Sequence, residues 1–272
     1  MPTTHTERVA EPRHTRRLEG GRRLDGASAD RGVAALTIVT VAFNARVALA
    51  TSVDSVRALS RPDVSYIVVD GGSHDGTVEF LKSCGDAIDY WVSEPDRGIY
   101  NAMNKAVGMV TPGSFVLFLG AGDTILKLPD ATTLAAAQTD GIQILYGDVL
   151  IGDTLFRSSF SPKLRYRNTL HHQGLFVRRG VTAEPWFDES LKVFSDWDLN
   201  LSLYRRGVLA RRLDYTVAYA EPDGISAKLH LGEIARMIAR RCGSLWSLAA
   251  IIYHGGLHLI RSHAAVPDRS RQ

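Results

Sequence analysis

The sequence predicts an α/β domain with a mainly parallel central sheet, and two observations lead to this fold class. Apolar runs rich in β-branched residues recur through the first half of the chain, and stretches whose apolar residues have helical spacing separate them. Such runs are typical of strands buried on both faces, and their alternation with helices is typical of parallel sheets. The chain has 272 residues, of which 45% are hydrophobic, so it is long enough to bury one large core.

The first half of the chain contains four predicted strands, which alternate with turns and helices. The predicted strands are 36–43, 66–69, 88–92 and 114–119, and the predicted helices are 47–59, a short one through 78–81, and 97–110. Pro62 ends the first helix because proline cannot continue one. Acidic and amide residues directly follow the strands: Asn44, Asp70, Glu94, Asp96 and Asp123. Ligands of parallel sheets bind beyond the carboxyl ends of the strands, so we expect a binding site there.

The second half is less regular and predicts a small antiparallel portion followed by helices. Segments 142–151 and 154–158 have the pattern of two antiparallel strands around a turn at Gly152-Asp153. A polar loop that begins at His171 leads into a further strand ending near Val177. The remaining predicted elements are a short helix at 196–206, a strand at 210–219 and an interrupted helix at 229–260.

The composition along the chain predicts three regions. Residues 1–33 are rich in Arg, Gly and acidic residues and contain almost no aromatic or β-branched residues. Burial in such a segment cannot offset the entropy of ordering, so we predict disorder there. We assign residues 34–227 to the main α/β domain and residues 228–272 to a C-terminal helical extension.

The C-terminal extension leaves two alternatives open. Its apolar residues could pack on the main domain, as most apolar helix faces do, or lie on an anionic membrane surface. The residues that favour the membrane alternative are Trp246, Ile251, Ile252, Tyr253, Leu257 and Ile260, flanked by Arg240, Arg241 and Arg261. Two histidines and two glycines interrupt this apolar run, so it is a poor candidate for a helix that spans the membrane.

Charge and cysteine content exclude several classes of partner. A formal net charge of +3 is too small to indicate nucleic-acid binding. Cys84 and Cys242 are far apart in sequence, so they form neither a disulfide framework nor a metal-ligand pattern, and a reducing compartment is expected. The amino-terminal segment lacks the apolar core of a secretory signal. We therefore expect a cytoplasmic protein, with peripheral contact at the inner face of the cell membrane as an open alternative.

Three aspartates near the ends of the predicted strands have both a functional and a structural interpretation. Asp70 lies beside Gly71-Gly72, which let a ligand approach the backbone, and its carboxylate can accept a hydrogen bond from a nucleotide base. Asp75 is a good helix-capping residue, and capping alone would explain it. Asp123 can hold a cation that bridges two phosphates, or it can be an ordinary turn residue.

The polar residues of the second half have similar pairs of interpretations. Asp196 can be a general base that takes a proton from a sugar hydroxyl, or a first-turn acid that suits the helix dipole. Trp197 can offer its ring to a sugar or belong to the core. His172, which precedes Gln173 in the polar loop, can contact an acceptor or a phosphate, with a structural histidine as the alternative.

Four blocks in sequence order resemble glycosyltransferase family 2, whose members have the GT-A fold. The blocks are 37–44, 67–77, 93–105 and 118–123, and each contains the polar residues that follow a predicted strand. Further along, the pair His172-Gln173 and the segment 194–199 resemble the subgroup that builds bacterial cell-surface glycans and glycolipids. The resemblance extends over about residues 36–227, and the blocks follow one another at spacings similar to those of the family.

The resemblance implies an inverting transfer of a sugar from a nucleotide-diphosphate donor to a glycan or lipid-linked acceptor. The residues implied for nucleotide-sugar binding are Phe43, Asn44, Asp70, Asp75, Arg97, Asn104 and Lys105, with Asp70 on the base. Asp123 would bind a divalent cation, Mg²⁺ or Mn²⁺, and Asp196 would be the catalytic base. His172, Gln173 and Trp197 would contact the acceptor or a phosphate.

The chain departs from the family's pattern at the metal motif. Gly122 stands where the family often has Asp, and Gly120 stands where it often has Asn or Asp, which leaves metal dependence open. Two other functions therefore remain alternatives: a non-catalytic protein that binds sugar nucleotides or glycans on the same fold, and a nucleotidyltransferase. The second is disfavoured because residues 43–46 are not the Gly-rich, basic phosphate loop that such enzymes usually carry after the first strand.

Overall fold

The computed structural model describes residues 17–24, 34–222 and 230–264, with side chains described as far as residue 258. The strands are β1 Leu18–Gly20, β2 Leu36–Ala42, β3 Val64–Asp70, β4 Tyr90–Ser93, β5 Phe115–Phe118, β6 Thr124–Ile125, β7 Ile144–Ile151, β8 Thr154–Phe156, β9 Leu175–Arg178 and β10 Ala210–Ala220. The helices are α1 Arg46–Ala58, α2 Thr77–Ser83, α3 Ile99–Met109, α4 Ala131–Thr139, α5 Ser195–Arg205, α6 Leu231–Cys242 and α7 Ser244–Ala264, with short 3₁₀ turns at Gly85–Ala87, Pro162–Arg165 and His172–Gly174.

A mixed sheet in the order β1-β4-β3-β2-β5-β9-β7-β10-β6 forms the centre of the described residues, and β8 pairs with β7 outside this path. Strands β4, β3, β2 and β5 are parallel to one another, as the sequence predicts. Strand β9 runs antiparallel between β5 and β7, and β10 runs parallel to β7. The carboxyl ends of β2 to β5, β7 and β10 therefore meet the amino end of β9 along one edge of the sheet.

Alternating side chains of β2 and β3 fill the two faces of the sheet. On one face, Val39, Ile67 and Val69 belong to a core cluster that includes residues of α3. On the other face, Ile38 and Val68 belong to a second cluster that includes residues of α1. All seven residues of β3 are buried, as expected for a strand covered on both sides.

The prediction of disorder at the amino terminus is wrong for residues 17–24. Strand β1 pairs antiparallel with β4 and so covers an edge of the sheet that would otherwise be open. The Arg22 guanidinium lies 2.7 Å from Asp89 Oδ1, and Arg23 Nη2 donates a hydrogen bond to Ser65 Oγ at 2.9 Å. Backbone pairing, these polar contacts and the packing of Leu18 against the core hold the segment in place. Residues 1–16 and 25–33 lie outside the described residues.

The segment between β5 and β7 contains a helix, α4, that the sequence pattern does not reveal. Alanine and threonine make up most of α4, and only Leu134 and Ala137 are buried, so it has little amphipathic periodicity. Its start is set by Asp130, whose Oδ1 accepts a hydrogen bond from Thr133 N at 2.7 Å. A cap followed by strong helix formers is the signal that could have identified this helix.

The C-terminal helices pack on the main domain through α6 and one face of α7. Ile234 and Ile238 of α6 and Ala250 of α7 are buried in the core cluster that also contains α5 residues. Packing on the main domain is therefore confirmed for the helix faces that carry these residues. The side chains of Ile260 and Arg261, which were named for the membrane alternative, lie outside the described residues. Within the described part of the chain, we find no helix with both the length and the apolar character needed to cross a bilayer.

His254 gives the packing of α7 a dependence on pH. Its ring lies 5.6 Å from the Trp197 ring, and burial lowers its pKa, partly opposed by a 3.2 Å hydrogen bond with Tyr166 O. The unfolded chain therefore binds the proton more readily, and stability is lost as pH falls below about 6.5. We expect thermal unfolding midpoints at pH 8 and pH 5 to differ less in His254→Gln than in the wild type. Equal differences in the two proteins would contradict this expectation.

Candidate active site

Polar residues from distant parts of the chain meet at the carboxyl edge of the sheet. Loops after β2, β3, β4 and β5 lie along this edge, and the 3₁₀ turn His172–Gly174 reaches it because β9 runs in the opposite direction. The end of β10 also arrives there, since Glu221 N donates a hydrogen bond to Asp123 Oδ1 at 2.9 Å across 98 residues of sequence. The edge predicted from the strand pattern is therefore one continuous site.

Asp70 lies beneath the loop after β3 and not on its surface. The residue is fully buried, and its Oδ2 accepts hydrogen bonds from Gly72 N at 3.1 Å and Ser73 N at 3.0 Å. Oδ2 also accepts from Ser93 Oγ at 2.6 Å, and Ser73 Oγ donates to Oδ1. The predicted contact of Asp70 with the base is corrected accordingly. Its carboxylate holds the shape of the loop and presents no surface to a ligand.

Asn44 and Asp75 join the loop after β3 to the loop after β2. Asn44 Oδ1 accepts a hydrogen bond from His74 N at 2.9 Å, and Asp75 Oδ2 accepts one from Arg46 N at 3.0 Å. Asp75 Oδ1 accepts from Thr77 N at 3.1 Å, at the first residue of α2. Burial of Asp75 opposes its ionisation, but these hydrogen bonds outweigh that effect and lower its pKa. The two loops therefore support each other at this edge of the sheet.

Phe43 and Asp96 approach each other at Gly71. A Cβ atom at Gly71 would collide with Asp96 Oδ2 and would lie 3.2 Å from the Phe43 ring, so a larger residue there would displace the Asp96 carboxylate. Phe43 is 60% exposed, and Asp96 Oδ1 accepts a hydrogen bond from Gly98 N at 2.9 Å. An exposed aromatic ring beside a carboxylate can stack on a base and accept a hydrogen bond from it. In the sequence, Asp96 follows a predicted strand, and no motif there indicates a role for it.

Asn104 holds the segment 185–190 instead of facing the sheet edge. Its Nδ2 donates to Phe187 O at 2.9 Å, and its Oδ1 accepts from Phe187 N at 2.9 Å. Nδ2 also lies within hydrogen-bond distance of Glu189 Oε1, at 3.2 Å. Both polar atoms of the amide are thus used within the protein, and the predicted nucleotide contact of Asn104 is corrected to a structural role.

Lys105 and Arg97 differ in how freely they can reach a phosphate. Lys105 Nζ lies 2.8 Å from Glu94 Oε1 and supports the loop after β4. Arg97 Nη2 lies 2.7 Å from Glu189 Oε2, but the Arg97 side chain is 76% exposed. A hydrogen bond from Asn101 lowers the pKa of Glu189 against the effect of burial, and Arg97 lowers it further. The exposed guanidinium can therefore exchange this partner for a ligand more easily than Lys105 can.

Asp123 folds back onto its own loop after β5. Its buried carboxylate accepts hydrogen bonds from Gly120 N at 3.0 Å and from Gln173 Nε2, both through Oδ2. Oδ1 accepts one hydrogen bond, from Glu221 N, and so keeps a lone pair for another partner. The structure thus brings the predicted residues Asp123 and Gln173 into direct contact.

Gly120 and Gly122, the two positions at which the metal motif departs from the family's pattern, lie in this loop beside the Asp123 carboxylate. A Cβ atom at Gly120 would collide with Asp123 Oδ2, so an Asn or Asp at that position would displace the carboxylate. Gly122 has a φ of +102°, which strains any residue with a side chain. Gly120 thus leaves room for the Asp123 carboxylate, and Gly122 permits the positive φ of the loop.

The surroundings of Asp123 fit a divalent cation that is shared with a diphosphate. Among the described residues no group of three His, Cys, Asp or Glu side chains could hold a metal by itself. Magnesium sites at phosphates commonly need only one or two protein carboxylates, because phosphate oxygens and water complete the shell. The buried Oε1 of Gln173 has no hydrogen-bond partner, so an unused oxygen lies on the same side chain that contacts Asp123.

Asp196 is the second residue of α5, and its side chain is 19% exposed. Its Oδ2 lies 3.3 Å from Asn168 Nδ2 and 3.8 Å from His172 Nδ1. His172 precedes Gln173, which contacts Asp123, so adjacent residues of one turn reach both carboxylates. Asp123 and Asp196 are thus linked through two neighbouring residues of one turn, and their roles in metal binding and catalysis stay predictions.

Comparison with known proteins decides the family. Residues 37–174 match the model of the family described as Glycosyl transferase family 2. The chain belongs to this family. Membership makes it a transferase enzyme, which disfavours the non-catalytic and nucleotidyltransferase alternatives.

This glycosyltransferase has curated relatives in mycobacteria. It is 30% identical over 203 residues to the "PGL/p-HBAD biosynthesis glycosyltransferase" of Mycobacterium bovis, an alignment that covers 70% of this chain and 78% of the relative. It is 32% identical over 160 residues to an uncharacterized glycosyltransferase of Mycobacterium tuberculosis, covering 55% of this chain and 60% of that protein.

Two solved structures share its fold. The structure of S. aureus TarS 1–349 in complex with UDP-GlcNAc has a TM-score of 0.61 at 17% identity, over 85% of this chain and 74% of that one. The mannosyltransferase PcManGT from Pyrobaculum calidifontis, in complex with GDP-Man and Mn²⁺, has a TM-score of 0.53 at 16% identity, over 87% and 77% of the two chains. These likenesses concern the fold alone and confirm the predicted GT-A architecture.

Trp197 of this glycosyltransferase belongs to the core and not to the acceptor site. The residue is fully buried, and its Nε1 donates a hydrogen bond to Leu164 O at 2.7 Å. Its ring meets the Phe194 ring edge-on at 5.9 Å. The predicted sugar contact is wrong because neighbouring residues on a helix point in directions about 100° apart. With Asp196 at the surface of α5, Trp197 faces the interior.

The segment that leads into Asp196 is held by Glu233 of α6, which sequence reasoning did not single out. Glu233 Oε1 accepts hydrogen bonds from Val193 N at 2.8 Å and Phe194 N at 2.9 Å. Its Oε2 accepts from Lys192 N at 3.1 Å, and the residue is buried. One carboxylate from the C-terminal extension thus satisfies three successive N–H groups directly before α5.

The first turn of α5 is attached to α6 at a second point. Asp198 is buried, and Arg241 donates to both of its carboxylate oxygens, at 2.8 Å from Nε to Oδ1 and through Nη2 to Oδ2. Arg240 Nη2 approaches the same carboxylate at 3.3 Å. The hydrogen bonds with Asp198 raise the pKa of Arg241 against the effect of burial. Helix α6 therefore holds both the segment before α5 and the first turn of α5.

Proposed function

We propose that this glycosyltransferase transfers a sugar, with inversion, from a nucleotide-diphosphate donor to a hydroxyl of a glycan or lipid-linked acceptor in cell-envelope synthesis. The mycobacterial relative is named for PGL/p-HBAD biosynthesis, and the two structural neighbours were solved with UDP-GlcNAc and GDP-Man, which supports this choice. The observation that carries the proposal is the partly exposed carboxylate of Asp196, which lies beside His172, the neighbour in sequence of the Gln173 that contacts Asp123.

Asp196 acts as the base in this proposal. The acceptor oxygen forms a bond to the anomeric carbon while the bond from that carbon to the diphosphate breaks, and the hydroxyl proton passes to the Asp196 carboxylate. His172 and Asn168, at 3.8 Å and 3.3 Å from Oδ2, keep the carboxylate oriented toward the site. Both keep polar atoms beside the base, so either can also contact the acceptor.

The donor lies along the loops after β2 to β5. Phe43 stacks on the base, and Asp96 accepts a hydrogen bond from it, while the joined loops of Asn44 and Asp75 shape the pocket. Arg97 and Lys105 supply positive charge near the diphosphate. Stacking and a few fixed polar contacts are the usual means by which such a pocket fixes ligand orientation.

A divalent cation, Mg²⁺ or Mn²⁺, completes the donor site in this proposal. The Asp123 carboxylate and the unused Oε1 of Gln173 are the oxygens that would hold it. When bound, such a cation stabilises the negative charge that develops on the departing diphosphate. The lone pair of Asp123 Oδ1 that accepts no hydrogen bond within the protein would bind the cation.

Donor binding gives the direct test. A thermal-shift screen of nucleotide-diphosphate sugars with Mn²⁺ identifies the donor, because a ligand that binds the native state raises the unfolding midpoint. We expect Asp123→Asn to weaken binding of that donor by about 10–100-fold in calorimetry with Mn²⁺, since the amide has no charge and one oxygen fewer. The difference should shrink when Mn²⁺ is replaced by a chelator.

The control for this experiment is Asp140→Asn, which removes an exposed ion pair with Arg211 beyond the end of α4. This variant should bind the donor like the wild type. Wild-type affinity and metal dependence in Asp123→Asn would contradict the metal assignment. Failure of every nucleotide-diphosphate sugar to bind the wild type would contradict the proposed function itself.

A further inference from the structure

One face of α7 is both apolar and exposed. Leu245, Leu248 and Ile252 are 84%, 55% and 65% exposed, and their spacing of three and four residues places them on one stripe of the helix. The opposite side of α7 carries Ser247 and Ala250, which are buried against the protein. We call Leu245, Leu248 and Ile252 the apolar stripe. A helix face that remains in water normally carries polar or charged residues, and this one does not.

Arginines without acidic partners lie beside the apolar stripe. The Arg165 guanidinium lies 5.3 Å from the centre of the Trp246 ring, and Arg167 Nη1 donates a hydrogen bond to Tyr253 OH at 2.9 Å. Neither guanidinium forms an ion pair with a carboxylate of the described residues, although other arginines of the region do. Their positive charge is therefore available to a partner that approaches α7.

The first turn of α7 is also in a basic environment. Burial raises the pKa of the preceding Cys242, and the nearby charges of Arg205, Arg165 and Arg241 lower it. Arg241 is neutralised by Asp198, which leaves Arg165 and Arg205 as uncompensated charges near the start of the stripe. The sequence of α7 itself contains no Asp or Glu over 21 residues.

We propose that the apolar stripe of α7 docks on an anionic lipid surface, with Arg165, Arg167 and Arg205 against the lipid headgroups. Amphipathic helices that bind membranes combine an apolar face of this kind with flanking arginines or lysines. A second copy of the chain is a poorer partner. In a twofold contact on this face the arginines of one copy would face the same arginines of the other, and no acidic residue would pair with them. The proposal is independent of the donor, the metal and the catalytic base.

Flotation with lipid vesicles tests the docking surface in the full chain. We expect the wild type to float with vesicles of phosphatidylcholine and phosphatidylglycerol, to float weakly with phosphatidylcholine alone, and to be released as salt increases. Replacing the stripe by Leu245→Gln, Leu248→Gln and Ile252→Gln together should lower the vesicle partition coefficient by at least about tenfold. Arg205→Gln should lower it by about fivefold on the anionic vesicles.

Leu209→Gln is the matched control, because Leu209 is a leucine of similar exposure, 55%, outside the C-terminal helices. It should float like the wild type, and all variants should keep the wild-type unfolding midpoint because the replaced side chains are exposed. Equal flotation of the wild type and the triple variant, or no flotation of the wild type, would overturn the proposal. A wild-type dimer that becomes a monomer in the triple variant, without vesicle binding, would assign the stripe to self-association instead.

Discussion

Asp196→Asn should lower kcat by about 10²–10⁴-fold and leave donor affinity close to that of the wild type. Asparagine keeps the size and shape of the side chain but cannot take the acceptor proton at neutral pH, and general-base catalysis contributes about this factor. Donor affinity should be preserved because Asp196 lies on α5, whereas the donor loops follow β2 to β5. The measurement is steady-state turnover with the identified donor and acceptor, paired with calorimetry of the donor alone.

His172→Gln separates the base from its neighbours. His172 Nδ1 lies 3.8 Å from Asp196 Oδ2, so its loss should disturb the orientation of the carboxylate without removing the base. We therefore expect a smaller fall in kcat than for Asp196→Asn, with Asp140→Asn as the unaffected control. A fully active Asp196→Asn protein would exclude the base role, and a larger effect of His172→Gln would move that role to the histidine.

The central strands could be predicted because their own side chains carry the signal. The run from Leu36 to Ala42 is buried along nearly its whole length, and such a strand leaves a continuous apolar pattern in the sequence. The site edge follows from the same pattern, since polar residues after parallel strands must lie at one end of the sheet. Strand β1 left no such pattern, because Leu18 is its one apolar side chain that packs against the core, and backbone pairing and arginine contacts hold the rest of the segment.

Individual site residues were harder to predict than the edge on which they lie. Asp70 and Asp96 both follow strands, yet Asp70 turns inward to bind Ser73 N and Gly72 N while Asp96 stays beside the exposed Phe43 ring. Nothing in the local pattern distinguishes these two directions. A carboxylate after a strand therefore predicts a position at the site, and only the three-dimensional contacts show whether it can reach a ligand.

The role of Glu233 could not be predicted from the sequence either, because its partners are distant in the chain. In the sequence it is an acidic residue in the first turn of α6, where the helix dipole explains an acid without any function. Its partners, Lys192, Val193 and Phe194, are about 40 residues away, with separations of 41, 40 and 39. A contact between a side chain and backbone N–H groups places no requirement on the partner residue types, so no sequence motif marks it.

Glu233→Ala should destabilise the protein and lower kcat while donor affinity is retained. The substitution leaves three N–H groups, those of Lys192, Val193 and Phe194, without their acceptor. An unsatisfied buried group costs about 1–3 kcal/mol, and of the three hydrogen bonds only that of Val193 is fully buried. The combined loss is therefore about 2–3 kcal/mol, and the unfolding midpoint should fall by about 5–10 °C. Asp196 follows Phe194 by two residues, and a shift of the base by about 1 Å can cost about 10²-fold in turnover.

A comparison with Glu233→Gln separates positioning of the base from loss of stability. Glutamine keeps one oxygen acceptor, and on Glu233 the single oxygen Oε1 serves both Val193 N and Phe194 N. Glu233→Gln should therefore recover part of the stability and part of kcat, whereas Glu184→Gln, which removes an exposed ion pair with Arg179, should behave like the wild type. Turnover is measured well below the midpoint of each variant, so that unfolding does not contribute. Wild-type kcat in a destabilised but folded Glu233→Ala protein would show that α6 stabilises the chain without orienting Asp196.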